Sequence, residues 1–137
     1  MDKTLNFLGL CKRAGAIVTG EDGVSGAARS GEAKLVMTAS DTAENTRGKA
    51  EHVAALCGVT AIRLPYDKDS LGELLSKRVC AVLAITDKNL AQSFLQKLAA
   101  EDASYAPAAR ALEERPKSRR ERRKALQAQP GGPARKE

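Results

Sequence analysis

The side chains best equipped for chemistry in this 137-residue chain are three cysteines, Cys11, Cys57 and Cys80, and a single histidine, His52. A nucleophilic dyad would pair a thiol with the imidazole, and a metal cage would need ligands at short, regular spacing. The cysteines are widely spaced, odd in number and never form a C-x-x-C pair, and no local signature brings His52 to any of them. Reduced, partly buried thiols are the expectation. Glu21 and Asp22 could in principle share acid/base work, but no histidine or aromatic residue accompanies them, and they read as charges favouring a helix N-terminus. Gly20, Gly23 and Gly26 recur every third residue, which invites comparison with phosphate-cradling loops. Neither G-x-G-x-x-G nor G-x-x-x-x-G-K-[ST] is present, and the acidic pair would repel the phosphate that such a helix end should attract. Close backbone approach or simple helix weakness accounts for these glycines. Catalytic residues, metal ligands and cofactors are therefore all expected to be none, and the chain is not expected to be an enzyme.

Binding is the better prospect, and charge says where. Lys and Arg outnumber Asp and Glu by 23 to 17, for a net charge of +6. The counts are 13 to 12 in residues 1–101 and 10 to 5 in residues 102–137, so the excess is +1 in the first part and +5 in the second. This shift predicts a domain over 1–101 and a basic C-terminal tail over 102–137, disordered or partly helical between Ser118 and Gln129. Within the tail Arg119, Arg120, Arg122 and Arg123 could neutralise phosphates without sequence preference, guanidinium forks being well suited to phosphate oxygens. Trp is absent and Tyr and Phe number two each, so aromatic stacking platforms are not expected. No apolar run approaches the roughly 18 residues of a membrane span, and the opening Met-Asp-Lys-Thr is no signal peptide, which predicts a cytoplasmic protein without membrane contacts.

The elements that must position these groups are legible from periodicity. Leu5, Leu8 and Cys11 share a helical face ended by Gly15, and Ala16–Thr19 reads as a short extended piece. Val24, Ala27 and Ala28 mark a second helix before Gly31, and residues 34–39 read as a buried strand. Asp41 with Glu44 three residues on suggests an N-cap and capping box for a third helix closed by Gly58. A strand over 60–64, a short helix over 71–75, a strand over 80–85 and a helix capped by Asp87 complete the order. Strands that are apolar along their length and separated by helices imply a sheet covered on both faces. The fold class is thus α/β, a three-layer α/β/α sandwich around a mixed sheet of about four strands.

Four blocks in order carry a likeness to a known family: residues 8–22 (LGLCKRAGAIVTGED), 29–36 (RSGEAKLV), 39–46 (ASDTAENT) and Leu71-Gly72. Across residues 3 to 100 the chain resembles the bacterial branch of the ribosomal-protein superfamily named after large-subunit proteins seven-Ae and thirty-e. The resemblance implies an α/β/α sandwich and binding of structured RNA, above all kink-turn RNA, a sharply bent internal loop with tandem sheared G·A pairs. It also implies where contacts lie. Gly20 would admit close backbone approach, and Asp22 could accept from a guanine edge. Arg47, Lys68, Lys77 and Arg78 would neutralise phosphates, and Val79 would pack against a splayed base. The family's Asn-Glu-x-x-Lys stretch is replaced here by Asp22, Gly23 and Gly26, so an amide donor and a cation are missing.

Two functions of different class follow. The first is a monomeric, non-catalytic, ribosome-associated protein binding structured RNA, ribosomal RNA foremost. The second is a protein-interaction module in ribosome or translation-factor assembly, partnered by ribosomal proteins or translation factors, in which only the tail touches nucleic acid.

Overall fold

The computed structural model describes residues 3–114. Helix α1 (Lys3–Arg13) ends where Gly15, at φ 75°, turns the chain into β1 (Ile17–Thr19). There follow α2 (Glu21–Arg29), β2 (Leu35–Thr38), α3 (Glu44–Cys57), β3 (Thr60–Arg63), α4 (Lys68–Leu74), β4 (Val82–Ile85) and α5 (Lys88–Glu101). A 3-10 turn (Ala103–Tyr105) then leads into α6 (Ala106–Glu114).

The strands form one mixed four-stranded sheet in the order β1-β4-β2-β3, with β4 antiparallel to both neighbours and β2 parallel to β3. Alternation along the two central strands distributes side chains to opposite faces. Leu35, Met37, Leu83 and Ile85 point into a core shared with Leu8 and Cys11 of α1, Leu71 of α4 and Phe94, Leu95 and Leu98 of α5. Val36, Val82 and Ala84 point the other way, against Val24, Ala27 and Ala28 of α2 and Ala50 and Ala54 of α3. The expected three-layer sandwich is therefore present, but its layers are unequal. One core is built of Leu, Phe and Met and the other almost wholly of Ala and Val, so α2 and α3 sit on the sheet through small side chains.

Three details depart from the sequence reading. Helix α3 starts at Glu44, with Ala43 at the cap position and no side-chain cap bond, so the capping box expected at Asp41 does not form. The reason is tertiary: the Asp41 carboxylate accepts instead from the backbone N–H of Lys68, 2.9 Å away. Helix α4 starts earlier than expected, at Lys68, because Asp67 caps it by accepting from the N–H of Ser70 at 2.7 Å. Finally, packing continues past Glu101. Leu112 of α6 has 0% exposure in the larger core, Gln92 donates to the Ala109 carbonyl, and the Tyr105 hydroxyl donates to the last carbonyl of β3, Arg63, at 2.6 Å. The C-terminal helix thereby covers the flank of the β3 edge strand, as sheet edges require. Composition points to a break at residue 101 because residues 102–114 carry one large aliphatic side chain, and that one side chain is the anchor. Arg119, Arg120, Arg122 and Arg123 lie outside the described residues.

Candidate nucleic-acid interface

In the sheet register Thr19 of β1 lies opposite Leu83, and Thr38 of β2 lies opposite Val82 and Arg63. The C-terminal ends of β1, β2 and β3 and the N-terminal end of β4 therefore meet at one end of the sheet. Four connections emerge there: Gly20 into α2, residues 39–43 into α3, residues 64–67 into α4, and residues 75–81 out of α4 into β4. Open α/β sheets place ligands at such an end.

These connections are bonded to one another. The Gly20 N–H donates to Val82 O at 3.0 Å, and the Ala39 N–H to Ala81 O at 2.9 Å. The Ser40 N–H donates to Tyr66 O at 2.8 Å, and the Cys80 N–H to Lys68 O at 2.9 Å. The Thr42 hydroxyl adds a bond to Ala81 O at 2.9 Å. Loops that satisfy one another's backbone groups hold their shape without a ligand.

On this frame the residues singled out from sequence fall into two groups. Gly20 sits exposed at φ 87°, a conformation that favours glycine, and a Cβ there would meet nothing within 4 Å, so its Cα faces open space while its N–H is held by Val82 O. Asp22 is exposed in the first turn of α2. Lys68 is half-buried at the head of α4, while Lys77, Arg78 and Val79 are exposed on the α4–β4 connection, Val79 at 50%. That connection turns through Ser76 at φ 61° and lies flat on α4. A Cβ on Gly72 would come within 2.7 Å of the Val79 Cα and 2.9 Å of the Arg78 and Lys77 carbonyl oxygens, so only glycine fits. Arg47 stands apart: it is 8% exposed, and its Nη2 donates to the Thr42 carbonyl at 3.0 Å. Its one ion pair among the described residues, at 3.6 Å, is with the exposed Glu44. Residue type alone suggests a surface cation there, and the fold turns the guanidinium inward.

Sequence reasoning missed Thr42 and the spacer role of Gly72, although Leu71-Gly72 is one of the blocks carrying the family likeness. It also missed a cleft of about 250 Å³ between α2 and α3, floored by Val82, where Lys49 and His52 of α3 face Glu21 and Asp22. Helical spacing from Glu44 puts Lys49 and His52 three residues apart on one side of α3, a signal that becomes readable once the neighbouring helix is known. Two of the three thiols are shut away from reaction. Burial, reinforced by Asp87, pushes Cys11 up to about 11, and burial likewise raises Cys80, so both stay protonated near neutrality. Among the described residues no three His, Cys, Asp or Glu side chains gather as a metal site, and no helix is long and apolar enough to cross a membrane.

A profile of the ribosomal protein L7Ae/L30e/S12e/Gadd45 family matches residues 2–95. The chain belongs to this family. This member of the L7Ae/L30e/S12e/Gadd45 family is 35% identical over 96 residues to the RNA-binding protein YlxQ of Bacillus subtilis, a stretch covering 67% of this chain and 91% of that protein. It is 31% identical over 75 residues to the RNA-binding protein YlxQ of Enterococcus faecium, covering 55% and 72% respectively. The fold is shared with a protein of unknown function from Bacillus halodurans C, at TM-score 0.67 and 24% identity over 72% of this chain and 98% of that one. It is also shared with a 15.5kD RNA binding protein of Giardia lamblia, at TM-score 0.57 and 20% identity, covering 72% and 84%.

Proposed function

We propose that this chain is a non-catalytic RNA-binding protein that recognises structured, kink-turn-like RNA, ribosomal RNA foremost, at the loop-bearing end of its sheet. One observation carries the reading. The connections at that end are tied to one another by backbone bonds, and among the groups exposed there are the bare Cα of Gly20, the carboxylate of Asp22, two cations at Lys77 and Arg78 and a half-exposed apolar side chain at Val79. Room for close approach at a residue without a side chain, cations for phosphate and an aliphatic wedge suit a bent RNA better than a regular duplex, whose narrow major groove admits no such wedge. The names borne by the YlxQ relatives support RNA as the partner class.

The acidic pair narrows the mode of binding. Glu21 and Asp22 beside the exposed Gly20 disfavour phosphate at the head of α2 and favour a base edge that donates, as the Watson–Crick edge of guanine does. Lys68, half-buried with its backbone N–H engaged by Asp41, would extend the cationic rim. Arg119, Arg120, Arg122 and Arg123 would add affinity that is insensitive to sequence and sensitive to salt.

The test is a titration of the full-length protein against a kink-turn RNA and a same-length uninterrupted duplex across a salt series. Preference for the kink-turn that persists as salt rises is expected. Equal binding with a steep salt slope would instead support an interaction module for ribosomal proteins or translation factors, with only the basic segment on nucleic acid. A Cβ at Gly26 would meet nothing within 4 Å, so packing does not demand glycine where relatives of the kink-turn type carry a cation, and this favours the second reading as the one to exclude.

A further inference from the structure

Lys77 and Arg78 present their charge to solvent, as phosphate-binding residues must, but Arg47 does not. It sits in the first turn of α3 with 8% exposure, and its Nε has no partner among the described residues. Taking a guanidinium out of water is costly unless its bonds do something the fold needs. The Nη2 bond to Thr42 O, at 3.0 Å, meets that need, because Thr42 is itself buried at the turn between β2 and α3 and, among the described residues, Arg47 is the donor to its carbonyl. Thr42 is also the residue whose hydroxyl donates to Ala81 O at 2.9 Å, and its N–H donates to Ala39 O at 3.2 Å. Ala81 O takes a second bond from the Ala39 N–H at 2.9 Å. Ala81 lies two residues past Val79. The bonds thus run without a gap from Arg47 to Thr42, from Thr42 to Ala81, and along the backbone to the exposed Val79.

We infer that Arg47 is a positioning residue, an internal latch that fixes the 39–43 turn and, through Thr42 and Ala81, the Lys77–Val79 connection, rather than a contact to RNA phosphate. This deepens the RNA-binding reading and rests on it. The latch explains why an arginine is buried on a helix whose other buried residues are Ala50 and Ala54. Its planar fork reaches back over one helical turn to a carbonyl that a shorter polar side chain would not span. Recognition would then depend on Arg47 without gaining from its charge.

Salt dependence separates the two roles. Removing one cation that neutralises a phosphate lowers the slope of log K against log salt by roughly 0.7 to 0.9, whereas removing a positioning residue leaves the slope unchanged. The experiment measures kink-turn RNA binding by the full chain over a salt series for the wild type, Arg47→Met, Thr42→Val and, as a phosphate-binding control, Lys77→Ala. Arg47→Met is expected to lose about tenfold in affinity at every salt concentration, a charge-assisted bond being worth that much, with the wild-type slope. Thr42→Val, which removes no charge, is expected to lose affinity in the same way, and the double variant to lose less than the product of the two. A slope reduced as in Lys77→Ala, or full affinity in Thr42→Val, overturns the latch. Amide exchange of the RNA-free protein gives a second readout: the Thr42 and Ala39 N–H groups should exchange faster in Arg47→Met, and unchanged exchange overturns the inference. If the wild type shows no preference for the kink-turn, the functional reading fails, and the exchange rates still decide the latch. If Arg47→Met does not fold, Arg47→Lys, which keeps the charge and loses the fork, decides instead: lost affinity with faster Thr42 and Ala39 exchange supports the latch, and wild-type affinity with wild-type exchange overturns it.

Discussion

The Asp41 carboxylate and the backbone N–H of Lys68, 27 residues apart in sequence, meet at 2.9 Å and join the β2–α3 turn to the head of α4. Asp67 next to it spends its own carboxylate on the N–H of Ser70. Two aspartates thus satisfy two of the orphan donors of one short helix, one from inside the chain segment and one from across the sheet end.

Asp41→Ala is expected to leave α3 intact, since its helix start does not use that side chain, and to loosen α4 instead. Amide exchange should speed up at Lys68 and leave the first turn of α3 unchanged. A faster first turn of α3 with a protected Lys68 would contradict the assignment.

Gly72→Ala is expected to destabilise the protein by about 1–3 kcal/mol, because the added methyl collides with backbone at three atoms and no flexible side chain can yield. Urea unfolding measures this. The same variant should weaken RNA binding more than its stability loss explains, since the atoms it displaces carry Lys77, Arg78 and Val79.

Val79→Ser makes the opposite case. Val79 is half exposed, so stability should change by no more than about 0.5 kcal/mol while RNA affinity falls. Unchanged affinity would remove the wedge from the interface.

Leu112→Ala is expected to cost about 2–5 kcal/mol, the usual range for a fully buried leucine. A chain cut after Glu101 should be less stable than one cut after Glu114, as thermal melts of the two would show.

The thiols supply a pH dependence. The ordinary thiol value is 9.0 and Cys11 in the fold lies at about 11, so the protonated thiol's contribution is complete below pH 9 and drains away as pH climbs through 11. Stability measured from neutrality upward should decline across that window, and Cys11→Ala should flatten the decline. In the native protein near neutrality, Cys57, partly exposed on α3, should react with a thiol reagent well before Cys11 and Cys80, which should wait for unfolding.

Much of this is readable in the residues. The run of apolar residues at 35–37 and 82–85 announces strands buried on both faces, and Gly15, Gly31 and Gly58, all at positive φ, mark real ends of helices. The sequence fails where a partner distant in the chain decides the outcome. Asp41 and Glu44 have the spacing of a capping box, but local spacing cannot reveal Lys68 waiting across the sheet. Arg47 has the composition of a surface residue, and only the carbonyl of Thr42 explains its burial. Leu112 stands among alanines and charges, and a single leucine gives no periodicity from which to infer a helix that completes the core.

The strand order has a bearing on how the chain is made. Strand β1 is synthesised first, and its neighbour in the sheet is β4, the last strand. During vectorial synthesis β1 therefore has no edge to join until Ile85 has left the exit tunnel, and β2 and β3, though adjacent and parallel, lack the strand that lies between β1 and β2. Early segments cannot settle piecemeal, so the nascent protein should stay open and then close in one late step, when β4 enters between strands already waiting on either side.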